Sequence, residues 1–456
     1  MRILLLNQYY VPDVAPTGRY LHDIARELVR RGHSVTVWCS RRSYNGGEVT
    51  YKREEVIDGV YVQRLRALGY GRRSILSRLG DYATFYGLLA RRCMLAGRRN
   101  QSQFDAVVSL TTPPYIGILG NLIARRCNAV SIQWVMDVYP DVMVAHGMAA
   151  QSSLKYRMLQ SLTRWQLQRS HQVWALGDCQ RDRLKSYIDG TPATATPRLL
   201  SVPLWRQEED ANTATHEACD HLAQAVAERR TQLGWQPGEF GLMYSGNMGL
   251  GHRFQEIIEA MTRFAKHSQD PAHPRIRLAF VGGGKRFPEV QKQVQERGIE
   301  AVTMHGYVPQ KDLVANLRAA DLHLVTLDPA WKGLIVPSKL MNVLAAGKPV
   351  LYIGHPESEI AKWVREGECG WCVAPDDVDG LMAVLREASS NPDEVCRRGA
   401  AARLYAERRF SMALNAGLLA NELLSMIAQR AQGSQTTLSE IANRVGQPAS
   451  LRLGRR

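Results

Sequence analysis

Three short segments in the second half of the chain have the make-up of anion-binding loops. One is Ser245-Gly246-Asn247-Met248-Gly249-Leu250-Gly251-His252-Arg253, the second Gly282-Gly283-Gly284-Lys285-Arg286, and the third Pro337-Ser338-Lys339. Each follows an apolar run, and the third opens a helical pattern that reaches Ala346. Glycines let a ligand approach the backbone, helix starts offer unpaired N–H groups, and Arg253 is a cation suited to a phosphate. Pro337 suits a first helical turn and Ser338 a cap. Lys339 then lies beside the positive end of the helix dipole, which is mildly unfavourable unless an anion joins it. The simplest such anion is a diphosphate. Taken singly, each loop reads as well as a tight strand-to-helix connection. Together, three of them favour a phosphate ligand. Neither glycine loop has the acidic residue about twenty positions on that marks dinucleotide binding.

Elements that could position these loops recur along the whole chain. Arg2–Tyr10 is a short, nearly continuous apolar run, the pattern of a buried parallel strand. Tyr20, Leu21, Ile24, Ala25, Leu28 and Val29 follow at helical spacing, and Ser34–Cys39 is a second strand. The alternation continues through strands at 105–110, 129–134 and 172–176. It breaks at 206–238, a polar stretch with a helix expected over 214–232, and resumes with strands at 240–245, 277–281, 301–304, 322–325 and 349–353. This predicts an α/β protein with two Rossmann-like domains whose parallel sheets face across a cleft. The expected divisions are 1–205, a linker with an inserted helix at 206–238, a second domain at 239–405, a helix at 406–432 packing back on the first domain, and a tail at 433–456 in which 436–445 can form a short helix.

At 456 residues the chain is too long for one core, and 45% apolar with 22% charged residues is a globular composition. The net charge of +15 calls for an acidic partner: nucleic acid, an anionic membrane or phosphorylated substrates. No nucleic-acid-binding signature is present, so no nucleic acid is expected. Only Ile3–Leu6 separate Arg2 from Asn7, too short for a signal-peptide core, and no run approaches the ~18–20 apolar residues of a membrane span. A cytoplasmic chain with free thiols is expected. Cys369-Gly370-Trp371-Cys372 lacks a second ligand pair and reads as buried side chains, not as a metal or redox site. Asp377-Val378-Asp379 precedes a helical run and reads as a cap. No metal is expected.

In order and spacing, Asn7–Asp13, Arg31–Val37, Thr112-Pro113-Pro114, Asp137-Val138-Tyr139-Pro140-Asp141, Ser245–Gly249, His305–Val308 and Pro337–Val350 resemble the GT-B-fold glycosyltransferases of family 4. Within these, the chain resembles the bacterial branch that builds exopolysaccharide, colanic-acid and O-antigen repeats, over nearly all of residues 1–430. The resemblance implies a nucleotide-sugar donor in the second domain and an acceptor in the first. It also implies transfer with retention of anomeric configuration, and no cofactor or essential metal. Carried over residue by residue, it puts Gly246, Asn247, Gly249, Gly282, Gly283, Pro337, Ser338, Lys339 and Asn342 on the donor. Tyr307 and Val308 lie where the nucleobase packs. Asp13, Gly18 and Asp141 lie on the acceptor side. Lys339 and Arg253 would stabilise the leaving diphosphate, and Asp137 would orient the attacking hydroxyl, although Asp137 reads equally as a helix cap. Many members carry two glutamates eight residues apart, and this chain has Leu334 and Asn342 there.

Residues 64–99 hold Arg64, Arg66, Arg72, Arg73, Arg78, Arg91, Arg92, Arg98 and Arg99 against the single acid Asp81, interleaved with apolar residues. This reads either as a core helix with a solvated basic face or as a surface for an anionic membrane. A polyprenyl-diphosphate-linked saccharide acceptor, implied by the resemblance, favours the membrane and a peripheral position at its inner face. Two rivals remain at this level: a non-catalytic sugar-nucleotide-binding scaffold, suggested by the missing glutamates, and a sugar-nucleotide epimerase of similar architecture.

Overall fold

The computed structural model describes residues 1–44, 50–66, 75–95, 104–190, 196–206, 216–266 and 274–445. Two sheets dominate it. The first contains β1 (Arg2–Leu6), β2 (Ser34–Ser40), β3 (Glu54–Ile57), β4 (Val60–Leu65), β5 (Ala106–Ser109), β6 (Val130–Trp134), β7 (Gln172–Ala175) and β8 (Arg198–Ser201). Their order is β3-β4-β2-β1-β5-β6-β7-β8, parallel except where β3 pairs antiparallel with β4. The second contains β9 (Phe240–Asn247), β10 (Ile276–Gly283), β11 (Val302–His305), β12 (Leu322–Thr326), β13 (Val350–Ile353) and β14 (Gly370–Val373), all parallel in the order β11-β10-β9-β12-β13-β14. The apolar runs become strands because both faces of each sheet are covered: Ile3, Leu4, Leu5 and Leu6 are all fully buried. In both sheets the order reverses beside the first strand of the domain, β1 or β9, where a crevice opens at the strands' carboxyl ends.

The β3–β4 hairpin escapes a reading based on apolar runs, and it changes the meaning of Arg64. That residue is 2% exposed, ion-paired with Glu55, and donates 2.8 Å to the Val11 carbonyl. Arg92 bonds Gln63 and lies 5.1 Å over the Trp38 ring. Neither is a free surface cation. Arg66 and Arg91 are exposed, Arg72, Arg73, Arg98 and Arg99 lie outside the described residues, and so does the side chain of Arg78.

Helix His216–Gln232, expected as part of a linker, docks onto the second domain. Arg229 donates to Asn316 (2.9 Å) and Arg230 to the Ala319 and Glu239 carbonyls (2.8 and 2.7 Å), while Leu233 and Trp235 enter a cluster with Met243, Ala279 and Val281. The last helix, Met412–Val445, extends past the expected break at 433, and 446–456 lie outside the described residues. The stretch Pro392–Gln432 is long and apolar enough to cross a membrane, yet Ala416, Leu419, Ala420 and Leu423 within it are buried in the main core. There the helix packs on Pro16–Arg30: Arg31 bonds Asn421 and the Gly417 carbonyl, and Arg430 reaches Asn128 (2.8 Å) and His171 (2.7 Å).

Candidate functional site

The three loops singled out in the second domain converge. Gly246 and Gly282 end β9 and β10 at φ +133° and +139°, and a Cβ on Gly282 would fall 2.1 Å from the Gly246 carbonyl oxygen. Only glycine allows the two strand ends to close to this distance. Met248 N–H donates to the Gly283 carbonyl (2.6 Å), tying the loops together. Tyr307, 67% exposed, lies across Gly283 and donates its hydroxyl to Asn247 Oδ1 (3.4 Å). Val308 packs beside it against the buried Trp235 cluster.

Lys339 completes the group. Helix Lys339–Ala345 begins after Ser338, which occupies the cap position but makes no side-chain capping bond. The Lys339 stem passes Gly246, and its Nζ sits 3.5 Å from the centroid of the Tyr244 ring. Nζ is buried and has no hydrogen-bond partner in the protein. Desolvation therefore holds the lysine pKa well below its usual 10.5. Tyr244 is fixed in turn by donating its hydroxyl to the Asn247 carbonyl (2.9 Å). His252 Nδ1 donates to the Thr326 carbonyl (2.6 Å), and burial, with Lys339 adding to it, depresses its pKa far below 6.5, so the imidazole is neutral. Tyr244 was not legible as a site residue, because only folding brings its ring under the lysine.

The structure does not bring Arg253 to this group as an available cation. Its guanidinium is taken by Glu256 (2.8 Å), Asp376 (2.5 Å) and Asp328 (3.7 Å), a clamp joining three loops. Gly249 lies in the intervening turn against Asn247. Pro337 is buried and Asn342 is half-buried on helix Lys339–Ala345. Leu334, at the first of the two glutamate positions, is 1% exposed, and its carbonyl accepts from Val138 N–H and from the Gln180 amide (both 3.4 Å). That position is spent on the junction between domains.

The Val138 contact puts Asp137 beside the loop that leads to Lys339. Asp137 N–H donates to Thr111 Oγ1 (3.2 Å). Its carboxylate does not cap the helix that follows, Asp141–Ala145, whose cap position is Pro140 with no side-chain capping bond. Desolvation raises the Asp137 pKa to about 6. Asp141 is placed otherwise than an acceptor contact requires: its carboxylate accepts from Arg183 (2.8 Å), Tyr156 (3.2 Å) and Tyr187, closing a buried network. Asp13 is also buried, accepting from Tyr44 N–H (2.7 Å) and the Ser43 hydroxyl (3.4 Å), with its pKa raised by burial. It shapes the loop that carries Tyr44, whose ring packs edge-on against Tyr9 at 5.2 Å. Gly18 lets helix Pro16–Arg30 approach the loop after β1, where a Cβ would meet the Tyr9 carbonyl at 3.0 Å.

The remaining candidates are structural. Cys369 and Cys372 donate to backbone carbonyls, and burial pushes their thiols up to about 12 and about 11. Asp377 caps helix Val378–Ser390 by accepting from Gly380 N–H (2.8 Å), and Asp379 pairs with Arg263 (2.9 Å). A separate groove of about 520 Å³ lies at the domain junction, lined by Arg183, Lys332, Lys362 and Arg365 among others. It has no glycine loop, and Arg183 and Lys332 are already paired with Asp141 and Glu357.

Comparison with known proteins agrees with this geometry. Residues 17–197 match the glycosyl transferase 4-like domain, and residues 226–405 match glycosyl transferases group 1. The colanic acid biosynthesis glycosyl transferase WcaI of Escherichia coli is 25% identical over 422 residues, 90% of this chain and 96% of that protein. Among solved structures, WaaG, a glycosyltransferase involved in lipopolysaccharide biosynthesis, superposes with a TM-score of 0.62 at 17% identity, covering 92% of this chain and 99% of WaaG. HepE of Anabaena, in complex with UDP-glucose, gives 0.61 at 15% identity, with coverage of 93% and 100%. The chain is thus a GT-B-fold glycosyltransferase, with a 4-like domain at its amino end and a group 1 domain at its carboxyl end.

Proposed function

We propose that this protein moves a sugar from a nucleoside-diphosphate sugar to a saccharide carried on polyprenyl diphosphate, with retention of anomeric configuration and without a metal, in cell-surface polysaccharide synthesis. One observation carries the donor assignment: a buried lysine ammonium with no protein partner, set between two glycine loops. Burying an unpaired cation is unfavourable, and an anionic ligand at that point removes the penalty. The UDP-glucose complex of HepE supports a donor of this class. The names of WcaI and WaaG support a place in polysaccharide assembly.

On this reading the diphosphate lies against Gly246, Asn247, Gly282, Gly283 and the Lys339 ammonium, with Tyr307 and Val308 at the base. As the anomeric C–O bond breaks, negative charge grows on the diphosphate and Lys339 stabilises it from a site with little water. The departing phosphate takes the acceptor proton on the same face. Asp137 orients the attacking hydroxyl and must be ionised to do so. Work on a lipid-linked acceptor places the protein at the cytoplasmic face of the membrane.

The test is a panel of nucleoside-diphosphate sugars with purified protein and a lipid-linked acceptor, in chelator, with the product anomer read by NMR. Nucleoside diphosphate released only with acceptor, and a product of retained configuration, is the expected result. Nucleotide binding without turnover, or an epimerised donor, would overturn the reading.

A further inference from the structure

Helices Ile75–Leu95, Ile116–Cys127 and Leu154–Gln168 lie side by side on one face of the first sheet, away from the last helix. Helix Leu154–Gln168 buries Tyr156, Thr163, Gln166 and Leu167. It leaves Leu154 83%, Met158 58% and Leu162 37% exposed, in one stripe at a spacing of four residues. Lys155, Arg157 and Arg164 stand exposed beside that stripe, and Arg125 is exposed on the neighbouring helix. Helices Ile116–Cys127 and Leu154–Gln168 contain no Asp or Glu. At the end of the stripe, Arg169 lies 4.5 Å over the Trp165 ring.

The lack of any acidic side chain on these two helices leaves their cations without partners of their own. On helices that do carry acids, arginines pair along the helix, as Arg263 does with Glu259, Arg397 and Arg398 with Glu394, and Arg403 with Glu407. Among the described residues, Arg125, Lys155, Arg157 and Arg164 have no carboxylate within ion-pair distance. A water-facing surface mixes both signs and hides large aliphatic groups. One that shows aliphatic groups in a row, flanked only by cations, has the chemistry of an anionic bilayer surface.

We propose that the face made by helices Leu154–Gln168 and Ile116–Cys127 docks on an anionic leaflet, seating Leu154, Met158 and Leu162 at the headgroup–acyl boundary. Lys155, Arg157, Arg164 and Arg125 meet the lipid phosphates. The proposal deepens the membrane side of the proposed function and moves it from residues 64–99 to a different pair of helices.

Flotation of the full chain with phosphatidylcholine vesicles, with and without phosphatidylglycerol, tests it. Binding is expected only with phosphatidylglycerol and is expected to weaken with salt. Each cation near such a surface contributes about fivefold in affinity, so Arg157→Gln with Arg164→Gln should weaken binding about 25-fold. Leu154→Ser with Met158→Ser should lower it further at high salt, where the apolar contact dominates. Both pairs are exposed and far from the donor loops, so nucleoside-diphosphate binding should not change. Unaltered binding of both variants to vesicles would overturn the proposal. So would displacement by millimolar inorganic phosphate, or self-association lost in the serine variant without vesicle binding. Transfer to a water-soluble acceptor reads the active-site assignment separately, so either reading can fail alone.

Discussion

Replacing Lys339 by Met keeps most of the stem and deletes the ammonium, which separates what the residue does for folding from what it does for the ligand. In the free protein the cation is buried beside the Tyr244 ring with no protein hydrogen-bond partner. Burying such a charge costs several kcal/mol, of which the aromatic ring returns about 0.5–2 kcal/mol. At a pH below the depressed lysine pKa, the ligand-free variant should be the more stable protein by about 1–3 kcal/mol. At roughly 2–4 °C per kcal/mol for a domain of this size, its Tm should rise by about 2–12 °C. The pH dependence has a defined sign. The folded-state pKa is depressed, so the penalty is present in full below that depressed value and is relieved as pH rises from it toward 10.5. The wild type should gain stability over that window and the variant should lose that slope. A nucleoside diphosphate should raise the wild-type Tm by more than it raises that of the variant at the same concentration. Loss of a charge-assisted contact of about 1.5–3 kcal/mol corresponds to a roughly 10–150-fold weaker affinity. The assay is thermal melting across pH with and without UDP or GDP, paired with calorimetry in two buffers of different ionisation heat. At a pH above the depressed lysine pKa, the calorimetry should reveal proton uptake on binding to the wild type alone. A variant that melts below the wild type, or binds nucleotide within about twofold of it, would refute the reasoning.

Transfer by the wild type should fall as pH drops through about 6, where the Asp137 carboxylate becomes protonated, and Asp137→Asn should be slow at every pH without that acid limb. A limb that persists in the variant assigns it to another group. Arg253→Gln should lower stability by about 2–4 kcal/mol in urea titration, because it strands Glu256 at 2% exposure without its cation. If stability holds and only nucleotide affinity drops, Arg253 serves the ligand and not the loops. Gly282→Ala should abolish nucleotide binding and destabilise by about 2–4 kcal/mol, since the methyl meets the Gly246 carbonyl at 2.1 Å from a backbone at φ +139°. Soluble, nucleotide-binding Gly282→Ala protein would show that the strand ends can separate.

The strands that build both sheets were legible because burial on two faces writes itself as a continuous apolar run, as in Ile3–Leu6 or Leu278–Val281. The β3–β4 hairpin was not, because Glu54 and Glu55 on edge strand β3, and Gln63 and Arg64 on β4 beside it, interrupt any such run. The glycine loops and Lys339 were legible since their chemistry is local: a strand end, a turn and a helix start. What Arg253 does was hidden for the opposite reason. One of its carboxylate partners lies 123 residues away, on Asp376, and nothing in the short segment around it signals that neutralisation. Asp141 misled in the same way, its three partners coming from two later helices. A motif shows which groups are present. Only the fold shows which remain available.

The chain passes between the domains twice, after β8 and again before its last helix, and the two passages are joined where Arg206 N–H donates to the Phe410 carbonyl (3.0 Å). A single passage would act as a universal joint, letting one half swing and twist freely. Two passages fastened side by side resist twisting, so relative motion of the halves is expected to favour rotation about the line they share, against the junction contacts at Leu334. A few degrees at Arg206 and Phe410 become a much larger travel at the far lip of the cleft, as at the free edge of a door. Any opening and closing of the cleft is then expected to follow a single angle about Arg206 and Phe410, readable as one distance between labels on the two lips.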